Sequence, residues 1–283
     1  MDRADPAGGE PREARRDPDE AESEADLRRH YGILLVRAPN PGPLTLTGTN
    51  SWVVGAQPAW VVDPGPPIDS HLDGLSAAIE ERGGLGGVVL THDHADHSGA
   101  VAALIERHPA LVAAGRGRVD VRLGEGARVG PFTAVATPGH APDHFALIAD
   151  GACFTGDAVL GTGSVFISPY RGAMAGYLLA LTRLRLREDF NVLCPGHGSP
   201  VWDAQAKLEE YVAHRIDREN RLIMSLAEGR RSVQALLDDV WSDVPPQLRP
   251  VATATLAAHL DKLEEEQALP GGVERPRFER VEW

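Results

Sequence analysis

The chain has 283 residues, 42% of them hydrophobic, and its formal net charge at pH 7 is −13. This length is enough for one large domain and a smaller one. No apolar run reaches the length of a membrane-spanning helix, and the charged N-terminus is unlike a signal peptide. Two cysteines are too few for a disulfide framework, so we expect a cytoplasmic protein with no membrane partner.

The first segment of the chain is strongly acidic. Residues 1–26 contain ten acidic residues and four arginines, with almost no large apolar side chains. Such a composition buries too little apolar surface to offset the entropy of ordering, and it predicts a disordered tail over residues 1–28. A solvated tail is favoured over the alternative, an acidic segment that covers a basic groove.

Residues 29–203 follow with alternating strand-like and helix-like runs, which indicate an α/β domain. Strands are predicted over 33–37, 51–54, 59–62, 87–90, 119–123, 133–136, 144–149 and 192–194. Helices are predicted over 68–82, 97–107 and 175–185. The pattern by itself establishes no more than the α/β class.

Directly after the predicted strand 87–90 the chain has the pattern His-x-His-x-Asp-His. Its ligand-type side chains are His92, His94, Asp96 and His97. Imidazole nitrogens and carboxylate oxygens together suit a borderline divalent ion such as zinc. A polar loop that is merely rich in histidine is the alternative, but it gives no reason for this spacing.

Three later segments each end a short apolar run at a glycine beside a ligand-type residue. These residues are His140, Asp157 and His197. Each alone is typical of an ordinary loop, but with the first cluster they supply seven ligands, enough for two metals. Asp157 is the natural bridge, because a carboxylate can give one oxygen to each ion. Cys153 and Cys194, in the neighbouring runs, are interpreted as small core residues rather than ligands.

This ordered set of motifs resembles the metallo-β-lactamase superfamily over about residues 34–201. The resemblance implies an αββα sandwich, in which two mixed sheets lie between helices, and a pair of divalent ions, with zinc favoured and manganese or iron as alternatives. It assigns one metal to His92, His94 and His140, the other to Asp96, His97 and His197, and the bridge between them to Asp157. Residues 47–52 resemble the strand that leads into this family's site. Asp63 matches the family's Asp-x-Gly turn, so we expect it to orient a ligand histidine without binding metal.

Beyond residue 203, over 204–283, the sequence changes character. Helices are predicted over 204–229, 233–241 and 248–267, and the alternation over 273–283 indicates a hairpin or strand, the outline of a winged-helix module. DNA binding is disfavoured, because residues 230–283 hold seven basic and ten acidic side chains. We expect the module to be structural, to shape the substrate site or to dimerise. A metal-binding regulator is the weakest alternative, since Lys262 is the only fixed positive charge around the middle of the third helix.

The first C-terminal helix carries two arginines three positions apart, Arg215 and Arg218. They could clamp a phosphate or carboxylate at the mouth of the site. A solvated face with local pairs to Asp217 and Glu219 is the alternative. The stretch His-Arg-x-x-Arg-Glu from position 214 resembles the branch of the superfamily that contains beta-lactamase-like protein 2. His144 also matches that branch, and it either lines the site or starts its strand.

Members of that branch include a single-strand endoribonuclease and thioesterases that act on polyketide chains. Two cations that share an oxygen lower the pKa of bound water until hydroxide is available near neutral pH, and Asp96 and Asp157 are the candidate catalytic carboxylates. A redox di-iron site is disfavoured because His94 stands where that chemistry favours glutamate. A secreted β-lactamase is disfavoured because Asp157 stands where many such enzymes use cysteine. We expect hydrolysis of a thioester or ester in a small-molecule or carrier-bound acyl substrate, with cleavage of single-stranded RNA as the alternative.

Overall fold

The computed structural model describes residues 18–278, with side chains from residue 22 onward. The helices are α1 (Pro18–Tyr31), α2 (Asp69–Glu81), α3 (Ala95–Ser98), α4 (Val101–Arg107), α5 (Ala173–Arg185), α6 (Ala204–Ala227), α7 (Val233–Val240) and α8 (Arg249–Glu265). The strands are β1 (Leu34–Arg37), β2 (Asn50–Val54), β3 (Ala59–Val62), β4 (Leu85–Val89), β5 (Leu111–Ala114), β6 (Val121–Arg122), β7 (Arg128–Val129), β8 (Phe132–Ala136), β9 (Phe145–Ala149), β10 (Gly151–Gly156) and β11 (Phe190–Pro195). Within this part of the chain, no helix is both long and apolar enough to cross a membrane.

The strands form two sheets. One has the order β1-β2-β3-β4-β5-β6, and the other has the order β11-β10-β9-β8-β7. In the first sheet β3, β4, β5 and β6 run parallel. In the second sheet β10 is parallel to β11 and antiparallel to β9, which is in turn antiparallel to β8. The carboxyl ends of β8, β10 and β11 therefore lie at the same edge of the second sheet.

Apolar side chains pack in three layers around these sheets. Between the sheets lies a buried cluster that includes Trp52, Val62, Phe132, Leu147 and Phe154. A second cluster covers the outer face of the first sheet with α2 and α4, and a third covers the outer face of the second sheet with α5 and α6. This arrangement confirms the predicted αββα sandwich.

The C-terminal helices have a core of their own. The buried side chains of this core include Leu222, Leu226, Leu236, Val240, Leu256 and Leu260, from α6, α7 and α8. The helix bounds agree with the predicted outline to within a few residues. Residues 273–278 do not form the predicted strand. The backbone amide of Glu274 donates to the carbonyl of Arg231, at 2.8 Å. The rest of that predicted segment, residues 279–283, lies outside the described residues.

The acidic N-terminal segment differs from the prediction over residues 18–28. These residues belong to α1, which is held to the domain by Leu27, only 1% exposed. Ser23 accepts a hydrogen bond of 2.8 Å from the indole of Trp202, and Arg28 pairs with Glu81 at 2.7 Å. One apolar anchor and a few polar contacts order a segment whose overall composition predicts disorder. The prediction for residues 1–17 lies outside the described residues.

The predicted helix 97–107 is two helices. The amide of Ala100 donates to the carbonyl of Gly65 at 2.8 Å, so it is not available to continue α3. Strands β5 and β7 were not predicted, and both are short, while β10 was indicated only as a short apolar run before Asp157.

Candidate metal centre

The seven ligand-type residues stand at the ends of strands that share one edge of the sandwich. The segment after β4 carries the His-x-His-x-Asp-His motif, and the segments after β8, β10 and β11 carry His140, Asp157 and His197. Because both sheets present their carboxyl ends here, residues far apart in the chain meet in one place.

The first group of candidate ligands comprises His92, His94 and His140, whose ligand atoms lie within 4.8 Å of one another. His140 Nε2 is 2.9 Å from His94 Nδ1. His92 Nε2 is buried and has no hydrogen-bond partner. Three ring nitrogens that converge on one point, one of them without a hydrogen-bond partner, form the donor set that a divalent ion needs.

The second group comprises Asp96, His97 and His197, again within 4.8 Å of one another. His97 Nε2 lies 3.3 Å from His197 Nε2, and Asp96 Oδ2 lies 3.2 Å from His197 Nε2. The second group therefore offers two nitrogens and one oxygen.

Asp157 lies between the two groups. Its Oδ1 is 3.5 Å from both His97 Nε2 and His197 Nε2, while its Oδ2 is 3.5 Å from His140 Nε2. The side chain is buried, and Oδ1 has no hydrogen-bond partner. Each carboxylate oxygen thus faces a different group, as a bridging ligand requires.

Four of the histidines are held by a partner on the far side of the ring. His97 Nδ1 donates to Asp63 Oδ2 at 2.9 Å. His92 Nδ1 lies 3.0 Å from the Thr91 hydroxyl oxygen, His140 Nδ1 lies 3.3 Å from the Phe166 carbonyl, and His197 Nδ1 lies 3.3 Å from the Gly48 carbonyl. Such partners fix the tautomer, so that the nitrogen facing the site keeps its lone pair. The structure places Asp63 beside a candidate ligand without bringing it to the front of the site.

The pKa values of the histidines differ in direction between the two groups. Burial lowers the pKa of His92, His94 and His140, to about 4 for His140. These rings are therefore neutral near pH 7, and neutral imidazole is the form that binds metal.

The rings of the second group respond differently, although burial alone would lower the pKa of both. The carboxylates of Asp157 and Asp63 raise the pKa of His97 well above its usual value, and Asp157 with Asp96 raises that of His197 to about 9. Burial would raise the pKa of Asp157, but His197 and His97 hold it well below its usual range. Near pH 7 these two rings therefore carry protons beside the carboxylates, and a divalent cation bound there would take the place of those protons.

Close packing behind the site depends on a glycine. A Cβ at Gly196 would lie 2.5 Å from Asp157 Oδ1 and 2.6 Å from His97 Cε1. No larger residue fits there without displacing two candidate ligands.

His144 supports the bridge from behind. Its Nε2 accepts a hydrogen bond of 3.1 Å from the backbone N–H of Asp157, and its Nδ1 is 2.7 Å from the Thr137 hydroxyl. Its ring stacks on that of His92 at 4.9 Å. His144 directly precedes β9 and lies behind the candidate ligands rather than at the front of the site, so its role there stays a prediction.

One contributor that the sequence did not indicate is Asn50. Its side chain is buried, and Nδ2 donates to the carbonyls of Pro195 at 3.0 Å and Gly198 at 2.7 Å. It thereby holds the turn that presents His197. The only signal in the sequence was its place within residues 47–52.

Arg215 and Arg218 have internal partners rather than a common open face. Arg215 is 2% exposed, donates to Ser164 Oγ at 2.9 Å and to the carbonyl of Val165, and lies over the Tyr177 ring. Arg218 is 5% exposed and pairs with Asp243, with an Nη1 to Oδ1 distance of 2.7 Å. Because both side chains are buried and bonded inside the protein, they form neither an anion clamp nor a solvated face. Helical spacing could not show which residues cover this side of α6.

A cavity of about 420 Å³ opens onto the metal centre. Its walls come from three parts of the chain: residues 43–46, residues 160–166 and the winged-helix module. The module contributes Leu248 and Val251, so the C-terminal domain forms part of the wall of the candidate active site.

Comparisons with known proteins agree with this architecture. Residues 44–127 match the model of the Metallo-beta-lactamase superfamily, and residues 232–268 match the Beta-lactamase associated winged helix domain. The chain is 30% identical to the lactamase-like protein adaB of Aspergillus niger, over 83% of this chain and 81% of that protein. It is 32% identical to an atrochrysone carboxyl ACP thioesterase of Aspergillus chevalieri, over 75% and 74%.

A beta-lactamase-like protein 2 homolog of Caenorhabditis elegans is 28% identical over 89% of each chain. Among solved structures, a metallo-beta-lactamase family protein from Thermus thermophilus superimposes with a TM-score of 0.69 at 22% identity, covering 84% of this chain and 94% of that one. This last likeness concerns the fold alone.

Proposed function

The chain belongs to the metallo-beta-lactamase superfamily and is a hydrolase, and from that premise we propose that it cleaves the thioester or ester bond of an acyl substrate with two divalent metal ions. Zinc is the proposed native metal, ahead of manganese or iron, because five of the seven candidate ligands are imidazoles. The cytoplasmic location inferred from the cysteine count stays a prediction.

The observation that carries this proposal is the apolar wall of the cavity at the metal centre. The wall includes Leu44, Leu46, Leu160, Val165, Phe166, Leu248 and Val251. Among the described residues, no lysine or arginine lines this cavity. A phosphodiester backbone is held mainly by basic side chains, whereas apolar walls suit an acyl group. The cavity therefore favours an acyl substrate over single-stranded RNA.

Two of the relatives are named atrochrysone carboxyl ACP thioesterase. Their names support a carrier-bound acyl thioester as the substrate class. A carrier-bound chain is also compatible with a cavity that opens to the surface beside the metal centre.

We assign the seven candidate ligands to the two ions as follows. His92, His94 and His140 hold one ion, Asp96, His97 and His197 hold the other, and Asp157 is shared. When bound, such ions lower the pKa of water and polarise the oxygen that gains negative charge.

Asp96 is the proposed proton carrier. It lines the cavity, and its side chain is 32% exposed. Burial would raise its pKa, but the hydrogen bond from His197 holds that pKa below its usual value, so the carboxylate is ionised and can accept a proton. Asp63 and His144 position His97 and Asp157 from behind.

The test is a paired assay of zinc-loaded protein on a panel of acyl thioesters and on single-stranded RNA. Asp157→Ala removes the shared carboxylate, and Asp93→Ala is the matched control, because Asp93 lies between His92 and His94 but has an exposed side chain. We expect thioester turnover that Asp157→Ala abolishes and Asp93→Ala retains. RNA cleavage with the same dependence, and no thioester turnover, would assign the protein to nuclease chemistry.

A further inference from the structure

A second cavity, of about 430 Å³, lies beside the catalytic one. It is enclosed by α6, by the winged-helix module and by residues 163–166. Six residues of the module line this cavity and not the catalytic one: Trp241, Asp243, Val244, Pro245, Ala252 and Thr255. Its volume lies within the range of about 300–1,000 Å³ that is usual for small-molecule sites.

The two cavities are neighbours on either side of one loop. Residues 163–166 line both, and so do Leu248 and Val251 from the module. The apolar side chains of Val165 and Phe166 therefore form part of the wall of both cavities.

The shared loop is fastened by the C-terminal helices. Arg215 donates to Ser164 Oγ at 2.9 Å and to the carbonyl of Val165. Thr255 Oγ accepts the backbone N–H of Ile167 at 3.2 Å. The separation between the cavities is thus set by α6 and α8 rather than by the catalytic domain alone.

The chemistry of the second cavity suits an apolar occupant. Trp241, Val244 and Val251 contribute apolar surface. The two arginines that line it are already engaged, Arg218 with Asp243 and Arg215 with the loop. The lining also holds two carboxylates, Glu210 and Asp243, so it has no excess of positive charge that would favour a second anion.

We propose that the second cavity receives the distal part of a long acyl chain whose thioester lies at the metal centre. This inference rests on the proposed function, and it makes the winged-helix module the determinant of chain-length preference. Burying one methylene is worth about 0.8 kcal/mol, which corresponds to roughly fourfold in kcat/KM for each methylene that enters.

The test compares butanoyl and dodecanoyl thioesters of N-acetylcysteamine in the zinc-loaded full-length protein. Val244→Trp fills the second cavity from its half-buried rim. Val233→Trp is the matched control, since Val233 packs on the same C-terminal core and lines neither cavity. Ala252→Leu fills the second cavity from α8, so the test does not depend on one variant folding.

We expect the wild type to favour the dodecanoyl substrate in kcat/KM by at least tenfold. Val244→Trp and Ala252→Leu should each lower that ratio by at least about fourfold, the effect of one excluded methylene, while Val233→Trp keeps it. A ratio near unity in the wild type, or a ratio unaffected by both filling variants, would overturn the inference and leave the proposed function in place. No turnover of any thioester would overturn both.

Discussion

Asp63 offers the sharpest test of how the metal centre is held together. Its carboxylate accepts three hydrogen bonds: from the Thr91 N–H at 2.8 Å, from the Thr91 hydroxyl at 2.6 Å and from His97 Nδ1 at 2.9 Å. Asp63→Asn preserves the shape but replaces one oxygen with an amide NH2. Whichever way the amide is turned, its NH2 faces a buried donor.

The expected cost follows from these contacts. One buried donor that loses its acceptor destabilises the fold by about 1–3 kcal/mol. Loss of the carboxylate behind His97 should weaken the ion held by Asp96, His97 and His197 by about 10–100-fold. The ion held by the other three histidines should change less, because of those rings only His92 is linked to Asp63, and only through the Thr91 hydroxyl.

The assay is a zinc titration of metal-free protein in competition with a chromophoric chelator, which resolves two dissociation constants. Asp93→Asn is the control, since it makes the same chemical change on an exposed side chain. Equal weakening of both sites, or no change in either, would refute the role assigned to Asp63.

Four further predictions concern the centre and the loop beside it. Asp157→Ala should abolish thioester turnover, and a near-normal kcat with two bound ions would refute the bridge. Gly196→Ala should weaken metal binding by more than about tenfold, because its Cβ would displace two candidate ligands. Thr255→Val should lower the free energy of unfolding, measured by urea denaturation, by about 1–3 kcal/mol, because the Ile167 N–H loses its acceptor. The hydroxyl of Thr253 bonds within α8, so Thr253→Val should lower the free energy of unfolding less, and equal losses would refute the role of Thr255. Chelation should lower both Tm and turnover, and an unchanged Tm would show that metal and fold are uncoupled.

The candidate metal centre could be predicted from the sequence because its later ligands share one local pattern. His140, Asp157 and His197 each follow an apolar run and adjoin a glycine, so strand ends could be located without knowing the topology. The α/β class followed from the alternation of strand-like and helix-like runs, whereas the αββα sandwich was expected from the resemblance to the metallo-β-lactamase superfamily. The structure brings these residues together, while their assignment to particular ions stays a proposal.

What the sequence did not reveal depends on contacts between distant segments. Leu27 is buried against the domain and anchors α1 within an acidic segment. Composition cannot show that one apolar side chain packs in this way. The partners of Arg215 and Arg218 lie 50 and 25 residues away, at Val165 and Asp243. Helical spacing identifies which side chains share a face, but not which element covers it.

The central claim is that one carboxylate joins two metal ions in this hydrolase. Anomalous diffraction from zinc-loaded crystals tests it most directly. The account predicts two anomalous peaks, one beside His92, His94 and His140 and the other beside Asp96, His97 and His197, with Asp157 contacting both. A single peak, or two peaks of which Asp157 contacts only one, would contradict it.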